Sequence, residues 1–349
     1  DHTQAIGDFG QTLKLDIKNG PAYLQRALAY VAQENYQQAI SDLDEAIRLI
    51  PKNAQAYQQR GLAHLKLGNL AQGIDDSSRA LELNPKDSTS FAQRGYAYGR
   101  LKNYSQAVED YNQAIQLEPD QPDAYLQRGI ALYQQGAYEQ AVADFNRALE
   151  QTPAKSLAMA MLHKYRGQAY ARQGQTSEAL ADLDAAAEML VKQSAHQSIG
   201  AELGDFETQV GEIFTQRGIL HMATDNPLQA IEDFNEALKY NPRDEQAYFQ
   251  RGVANLQRDD TSQAIADFNE VIVLNPEAAE AFFERGQAYA REGNQQYAIE
   301  DYNQALLLTP LNAEVVSQKG QAYLDLGQPI EAVESFNLAI RLDPKTPAT

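Results

Sequence analysis

The chain has 349 residues, no cysteine, and a formal net charge of −19 from 29 Lys and Arg against 48 Asp and Glu. The missing thiols exclude disulfides, thiolate metal sites and cysteine nucleophiles, and the acidity opposes a surface for nucleic-acid phosphates while suiting a partner with basic segments. No apolar run approaches the roughly 18 residues that span a bilayer, so the chain reads as soluble with no membrane insertion. Cytoplasm is the first expectation; the start at Asp1 rather than Met points to upstream cleavage or trimming and leaves an exported compartment open.

Residues 1–19 read as one amphipathic helix, with Ala5, Phe9 and Leu13 on a common face. From residue 20 onward the pattern is paired. Across 122–153, Ala124, Tyr125, Arg128, Gly129, Ala131 and Leu132 recur at three- and four-residue spacing, which sets them on one helical stripe. Gln135-Gly136 interrupts the helix. Tyr138, Ala141, Val142, Phe145, Ala148 and Leu149 then form a matching stripe, closed by Pro153. Gly129 and Ala141 are small where the two axes are expected to come closest.

The same text returns along the chain. The glycine stands at Gly61, Gly95, Gly129, Gly167, Gly218, Gly252, Gly286 and Gly320, with Ala27 in the first copy, and the spacing is 34 except on either side of Gly167. The alanine of the second helix follows at Ala39, Ala107, Ala141, Ala179, Ala230, Ala264, Ala298 and Ala332, with Gly73 as the exception. A proline closes eight copies, at Pro51, Pro85, Pro119, Pro153, Pro242, Pro276, Pro310 and Pro344. This period and residue spacing resemble the tetratricopeptide repeat, TPR. The expected division is a half repeat at 1–19, repeats over 20–193, an insertion at 194–210, repeats over 211–346 and a tail at 347–349.

The resemblance implies an all-α fold, an α-α superhelix: a right-handed solenoid of TPR helical hairpins whose first helices line the inner wall. Carried onto this sequence, the partner-binding groove includes Leu24, Leu28, Tyr96, Leu126, Ile130, Tyr133, Lys164, Arg172, Ile219, Met222, Phe249, Val253 and Phe283. Aliphatic and aromatic anchors of this kind suit an extended peptide or an amphipathic helix. The carboxylate clamp of chaperone-binding TPR domains is not reproduced. Only Lys164 with Arg172 approaches it, and Gln168 stands where the asparagine belongs.

A cation precedes each glycine, and an acid precedes the core residue of each second helix. Pairing every acid with the cation of the next repeat leaves none over: Asp8–Arg26, Asp42–Arg60, Asp76–Arg94, Asp110–Arg128, Asp144–Arg166, Asp182–Arg217, Asp233–Arg251, Asp267–Arg285 and Asp301–Lys319. Pairing within repeats strands Asp8 and Lys319, since Ser335 replaces the last acid. The expectation is therefore a set of inter-repeat salt bridges that fix register.

Reactive constellations are missing from the text. The histidines have no metal-ligand spacing, His64 and His221 occupy tyrosine positions of sister repeats, and no Walker loop, GxSxG elbow or HExxH occurs. The acidic runs Asp42-Leu43-Asp44-Glu45 and Asp182-Leu183-Asp184 read as solvated helix faces. The expected function is a non-catalytic interaction scaffold that binds a protein segment in the groove, without a cofactor and with no nucleic acid. Two alternatives stand beside it: the recruiting or regulatory part of a larger enzyme, and a sensor of peptides or small ligands with 194–210 as hinge or lid. The last helix, with Ile330, Val333, Phe336 and Ile340, is expected to show an apolar face, from which a longer chain or a homo-oligomer follows.

Overall fold

The computed structural model describes residues 1–153, 156–194 and 203–343. The described residues form helices joined by short turns, in two compact units, Asp1–Ala179 and Leu180–Thr349.

The first unit holds α1 (His2–Leu15), α2 (Gly20–Ala32), α3 (Tyr36–Leu49), α4 (Ala54–Lys66), α5 (Leu70–Leu83), α6 (Ser88–Arg100), α7 (Tyr104–Leu117), α8 (Pro122–Gln134), α9 (Tyr138–Gln151), α10 (Leu157–Arg172) and the start of α11 (Thr176–Ser194). The second holds the rest of α11, then α12 (Leu203–Ala223), α13 (Pro227–Tyr240), α14 (Glu245–Gln257), α15 (Thr261–Leu274), α16 (Ala279–Arg291), α17 (Gln295–Leu308), α18 (Ala313–Asp325) and α19 (Pro329–Leu342). Of the expected insertion at 194–210, residues 195–202 lie outside the described residues. The helices that flank it are long: α11 has 19 residues against 14 in α9, and α12 has 21 against 13 in α14.

Each hairpin turn has one solution. The second residue after the first helix takes a left-handed conformation at Glu34, Gly68, Lys102, Gly136, Gly174, Asp225, Asp259, Gly293 and Gly327. The next N–H then reaches back five residues to a carbonyl of the last helical turn, as in Ala137 N to Leu132 O at 2.9 Å and Asn103 N to Tyr98 O at 2.8 Å. Several turns from second to first helix are closed by side-chain caps. The Asn53 carboxamide accepts from Ala56 N at 3.0 Å, and the Asp244 carboxylate from Ala247 N at 3.1 Å.

Inside each hairpin the glycine sets the packing distance. A Cβ placed on Gly129 lies 2.5 Å from Cε1 of Phe145, and one on Gly252 lies 2.7 Å from Cε1 of Phe268. The phenyl rings therefore lie directly on the backbone of the facing helix. Phe145, Phe234 and Phe268 are fully buried, as is the alanine at Ala39, Ala107, Ala141 and Ala230. Gly73 replaces that alanine because Leu65 takes its space: a Cβ there meets the Leu65 side chain far inside contact distance. Within each unit, consecutive hairpins pack on one another, as α5 on α6 and α15 on α16. First helices also touch the next first helix, as α2 with α4, α6 with α8 and α14 with α16, so they form a common layer within each unit.

Candidate interaction face

The arginines before the glycines organise each hairpin, but with a different partner from the one expected. Arg26, Arg60, Arg94, Arg128, Arg251 and Arg285 make bidentate pairs with Asp42, Asp76, Asp110, Asp144, Asp267 and Asp301, acids of their own repeats, with the shortest contacts at 2.5–2.7 Å. Arg217 also pairs with the acid of its own repeat, but Nε and one terminal nitrogen both donate to Oδ1 of Asp233. The inter-repeat pairing of these carboxylates is thereby corrected. The reason is the glycine: a Cβ on Gly95 lies 3.3 Å from Cβ of Asp110, so each acid sits beside the close approach of its own two helices. The cation one residue earlier is at hand.

A link between repeats exists all the same, through the residue two places after each acid. The second terminal nitrogen of Arg60 reaches Asp44 at 2.6 Å, that of Arg94 reaches Ser78 at 3.1 Å, and that of Arg128 reaches Asn112 at 2.7 Å. Arg166, Arg217, Arg251 and Arg285 reach Asn146, Asp184, Asn235 and Asn269 likewise. Residues two apart on a helix point about 200° away from each other. One faces its own hairpin and the other faces the next. Asp42 is accordingly buried rather than part of a solvated run, and so is Asp182.

The two ends explain why the sequence misleads. Asp8 is exposed, and the place two residues on is Gly10, which offers the Arg26 guanidinium no acceptor; a Cβ there lies 3.8 Å from its terminal nitrogen. Lys319 has no ion pair among the described residues and sits 5.7 Å from the Tyr323 ring centre, while Ser335 donates to the Glu331 carbonyl at 2.9 Å. Burial lowers the Lys319 ammonium from its ordinary value. Burial also pushes the carboxyls of Asp233, Asp267 and Asp301 up, against the pull of their arginines, and the hydrogen bond to Asp301 holds Arg285 still more firmly protonated.

Two contacts of these pairs escaped sequence reading. Each guanidinium packs over an aromatic ring three residues before it: Arg26 over Tyr23, Arg60 over Tyr57, Arg128 over Tyr125 and Arg217 over Phe214, at 4.9–5.7 Å. The signal was present as an aromatic recurring in step with the arginine. The position three after the glycine also touches the acid. Asn255 donates to Asp267 at 3.1 Å, and His64 and His221 lie 4.0 and 3.7 Å from Asp76 and Asp233.

The expected groove residues divide by burial. Leu24, Leu126 and Lys164 are buried, at 4%, 9% and 4% exposure, because they lie between adjacent hairpins; they are not available to a partner. Leu28, Tyr96, Ile130 and Tyr133 in the first unit are half-buried at the margins of core clusters, and so are Phe249, Val253 and Phe283 in the second, where Ile219 and Met222 are half-buried too. Arg172 is exposed, with Nε 3.5 Å from the Tyr133 hydroxyl. In α16, burial raises the Glu284 carboxyl, and Glu280 and Glu314 reinforce the effect. No described helix is long and apolar enough to cross a membrane. Among the described residues, α19 exposes Ile330 (72%), Val333 (58%) and Ile340 (44%).

Family models described as tetratricopeptide repeat match residues 94–164, 215–272 with 256–313, and 54–87 with 313–346; one described as TPR repeat matches 27–68. No curated protein matches the chain. Among solved structures, the C-terminal part of a TPR repeat-containing protein from Cytophaga hutchinsonii is 19% identical, with a TM-score of 0.56 over 72% of this chain and 95% of that one. A tetratricopeptide repeat protein from Parabacteroides merdae is 16% identical, with a TM-score of 0.51 over 77% and 98%. MamA from Desulfovibrio magneticus RS-1 is 22% identical, with a TM-score of 0.47 over 56% and 98%. At these identities the likeness is one of fold.

Proposed function

The chain belongs to the tetratricopeptide-repeat family, and on that premise we propose that it is a non-catalytic scaffold that binds a segment of a partner protein along the layer of first helices. The supporting observation is the row of half-buried apolar side chains on that layer: Leu28, Tyr96, Ile130 and Tyr133 in one unit, Phe249, Val253 and Phe283 in the other. Side chains fixed at the rim of a core lose little freedom on binding and present apolar surface already held in place. The second helices, by contrast, carry arginines and acids paired within the same helix, such as Arg147 with Glu150 at 2.8 Å. The partner is expected to be an extended or helical segment with apolar anchors, and basic flanks complement the net charge of −19.

Site-specific photo-crosslinking tests this reading. A photoreactive amino acid at Ile130 or Phe283 is expected to trap one and the same partner protein in cells. The same group at Glu109 or Glu300, exposed on second helices, is expected to trap none of it. Equal yields from both sets of positions, with variants whose helicity matches the parent, overturn the assignment.

A further inference from the structure

Between α6, α7 and α8 the first-helix layer is notched. The notch measures about 200 Å³ and is lined by Tyr96, Gly99, Tyr104, Tyr111, Gln127 and Ile130 among others. That lies below the roughly 300–1,000 Å³ of small-molecule sites and is of the order of one large side chain. Its opening comes from Gly99, where a Cβ meets only Cβ of Ala107, at 3.9 Å. Six sister repeats carry Val31, Leu65, Tyr133, Met222, Leu256 and Leu324 at this place, four residues past the small residue of the hairpin, and two carry Ala171 and Ala290.

Tyr111 is 3% exposed and lines the notch, and among the described residues nothing hydrogen-bonds its hydroxyl. Burial raises this phenol well above its ordinary value, so the hydroxyl keeps its proton and remains a donor. The hydroxyl itself is still reached by water at the notch, so an occupant that covers it without a hydrogen bond would leave it buried and unpaired, which is costly. Four sister repeats carry no hydroxyl but an aromatic ring at this place, with Phe145, Phe234, Phe268 and Phe336, and another carries Ser77. The other tyrosine, Tyr302, has the Phe283 ring 5.9 Å from its own, where the notched repeat has the small Ala92. Only the repeat of Tyr111 thus combines the hydroxyl with missing bulk on both sides of the first helix.

We infer that this notch receives the ring of a tyrosine from the partner segment, whose hydroxyl meets that of Tyr111. The inference rests on the scaffold reading and adds the identity of one anchor. Three tyrosine rings, Tyr96, Tyr104 and Tyr111, stand among the lining residues and favour an aromatic occupant in tilted or offset contact. An aliphatic occupant leaves the Tyr111 hydroxyl buried and unpaired. A cationic one is opposed by Arg100, which donates to the Tyr96 hydroxyl at 2.7 Å and lies 5.7 Å from the Tyr96 ring centre.

The probe is p-cresol, with toluene as the comparison, titrated into the isotope-labelled full chain and followed by amide NMR shifts. The expected result is a saturable shift focused on Gly99, Arg100 and Tyr104, with toluene binding more weakly. Tyr111→Phe, which reproduces the residue of sister repeats, is expected to weaken p-cresol about fivefold, the value of one hydrogen bond. Gly99→Leu, which reproduces Leu65 and Leu256, is expected to abolish the shift. Equal affinity for toluene and p-cresol, an unchanged Tyr111→Phe variant, or shifts that survive Gly99→Leu would each overturn the proposal. The probe needs no partner, so the two failures separate. Fragment binding without crosslinks at Ile130 removes the scaffold reading, and crosslinks without fragment binding remove only the notch.

Discussion

At the scale of the residue, Arg60, Arg94, Arg128, Arg251 and Arg285 are each a three-way joint: bonds to the repeat's own acid, one to the preceding repeat and a ring beneath. Arg128 is 20% exposed in its side chain and Asp144 9%, so removal of one partner leaves a charge in a poorly solvated place. Arg128→Ala is expected to cost about 3–5 kcal/mol in urea denaturation, while Arg128→Met with Asp144→Leu recovers much of that loss. A double-mutant cycle assigns the partner: coupling of Arg128 to Asp144 is expected to exceed its coupling to Asp110, and the reverse order would contradict the geometry. Lys319 tests the converse case. Its folded pKa is lowered, so between the folded and unfolded values the unfolded chain binds more protons, and stability rises with pH across that window. Ser335→Asp supplies the acid that the other repeats have. It is expected to raise the Lys319 pKa and to add about 1 kcal/mol near neutral pH, as read by NMR titration of the lysine side chain; an unchanged pKa counts against the shared pair geometry.

At the scale of the element, the hairpin depends on two kinds of glycine site with opposite tolerances. Lys102 holds a φ of +62° at the place where Gly136 and Gly174 hold +81° and +74°. A side chain there is strained, so Lys102→Gly is expected to raise stability by about 1 kcal/mol. Gly129 behaves oppositely. Its added Cβ collides with a ring that has no free space to move into, and Gly129→Ala is expected to lose about 1–3 kcal/mol through overpacking. Gly99→Ala, in an open place on the equivalent helix, is expected to be neutral or to gain up to about 1 kcal/mol from helix propensity. Thermal denaturation of the three variants gives the ranking directly, and loss of stability in Lys102→Gly or a gain in Gly129→Ala would refute it.

At the scale of the whole molecule, helices touch mainly their neighbours in sequence, so cohesion is a sum of hairpins and interfaces rather than one shared core. Unfolding is therefore expected to depart from two-state behaviour, with far-UV circular dichroism and tyrosine fluorescence giving non-coincident urea transitions. Superimposable curves with one steep transition would contradict this. Native-state hydrogen exchange is expected to be slowest in α8 and α9, around the fully buried Phe145, and faster in α19, whose Ile330 and Val333 are exposed.

The sequence by itself determined the helical hairpins, their 34-residue period, the small residues at the crossings and the aromatic residues that fill them. These follow from local rules: the spacing of apolar residues, the residue that ends a helix, and the volume two axes can accommodate. Which acid an arginine selects was not legible, because Asp110 and Asp144 stand at equal status in the text, and only the third dimension shows that the glycine draws Arg128 to Asp144. The same holds for Leu24, Leu126 and Lys164, whose burial comes from the neighbouring hairpin, and for the notch at Gly99, which exists only where three helices meet. Intervals along a chain encode contacts within a helix and its turn; contacts between hairpins depend on how far each side chain reaches across a packed interface.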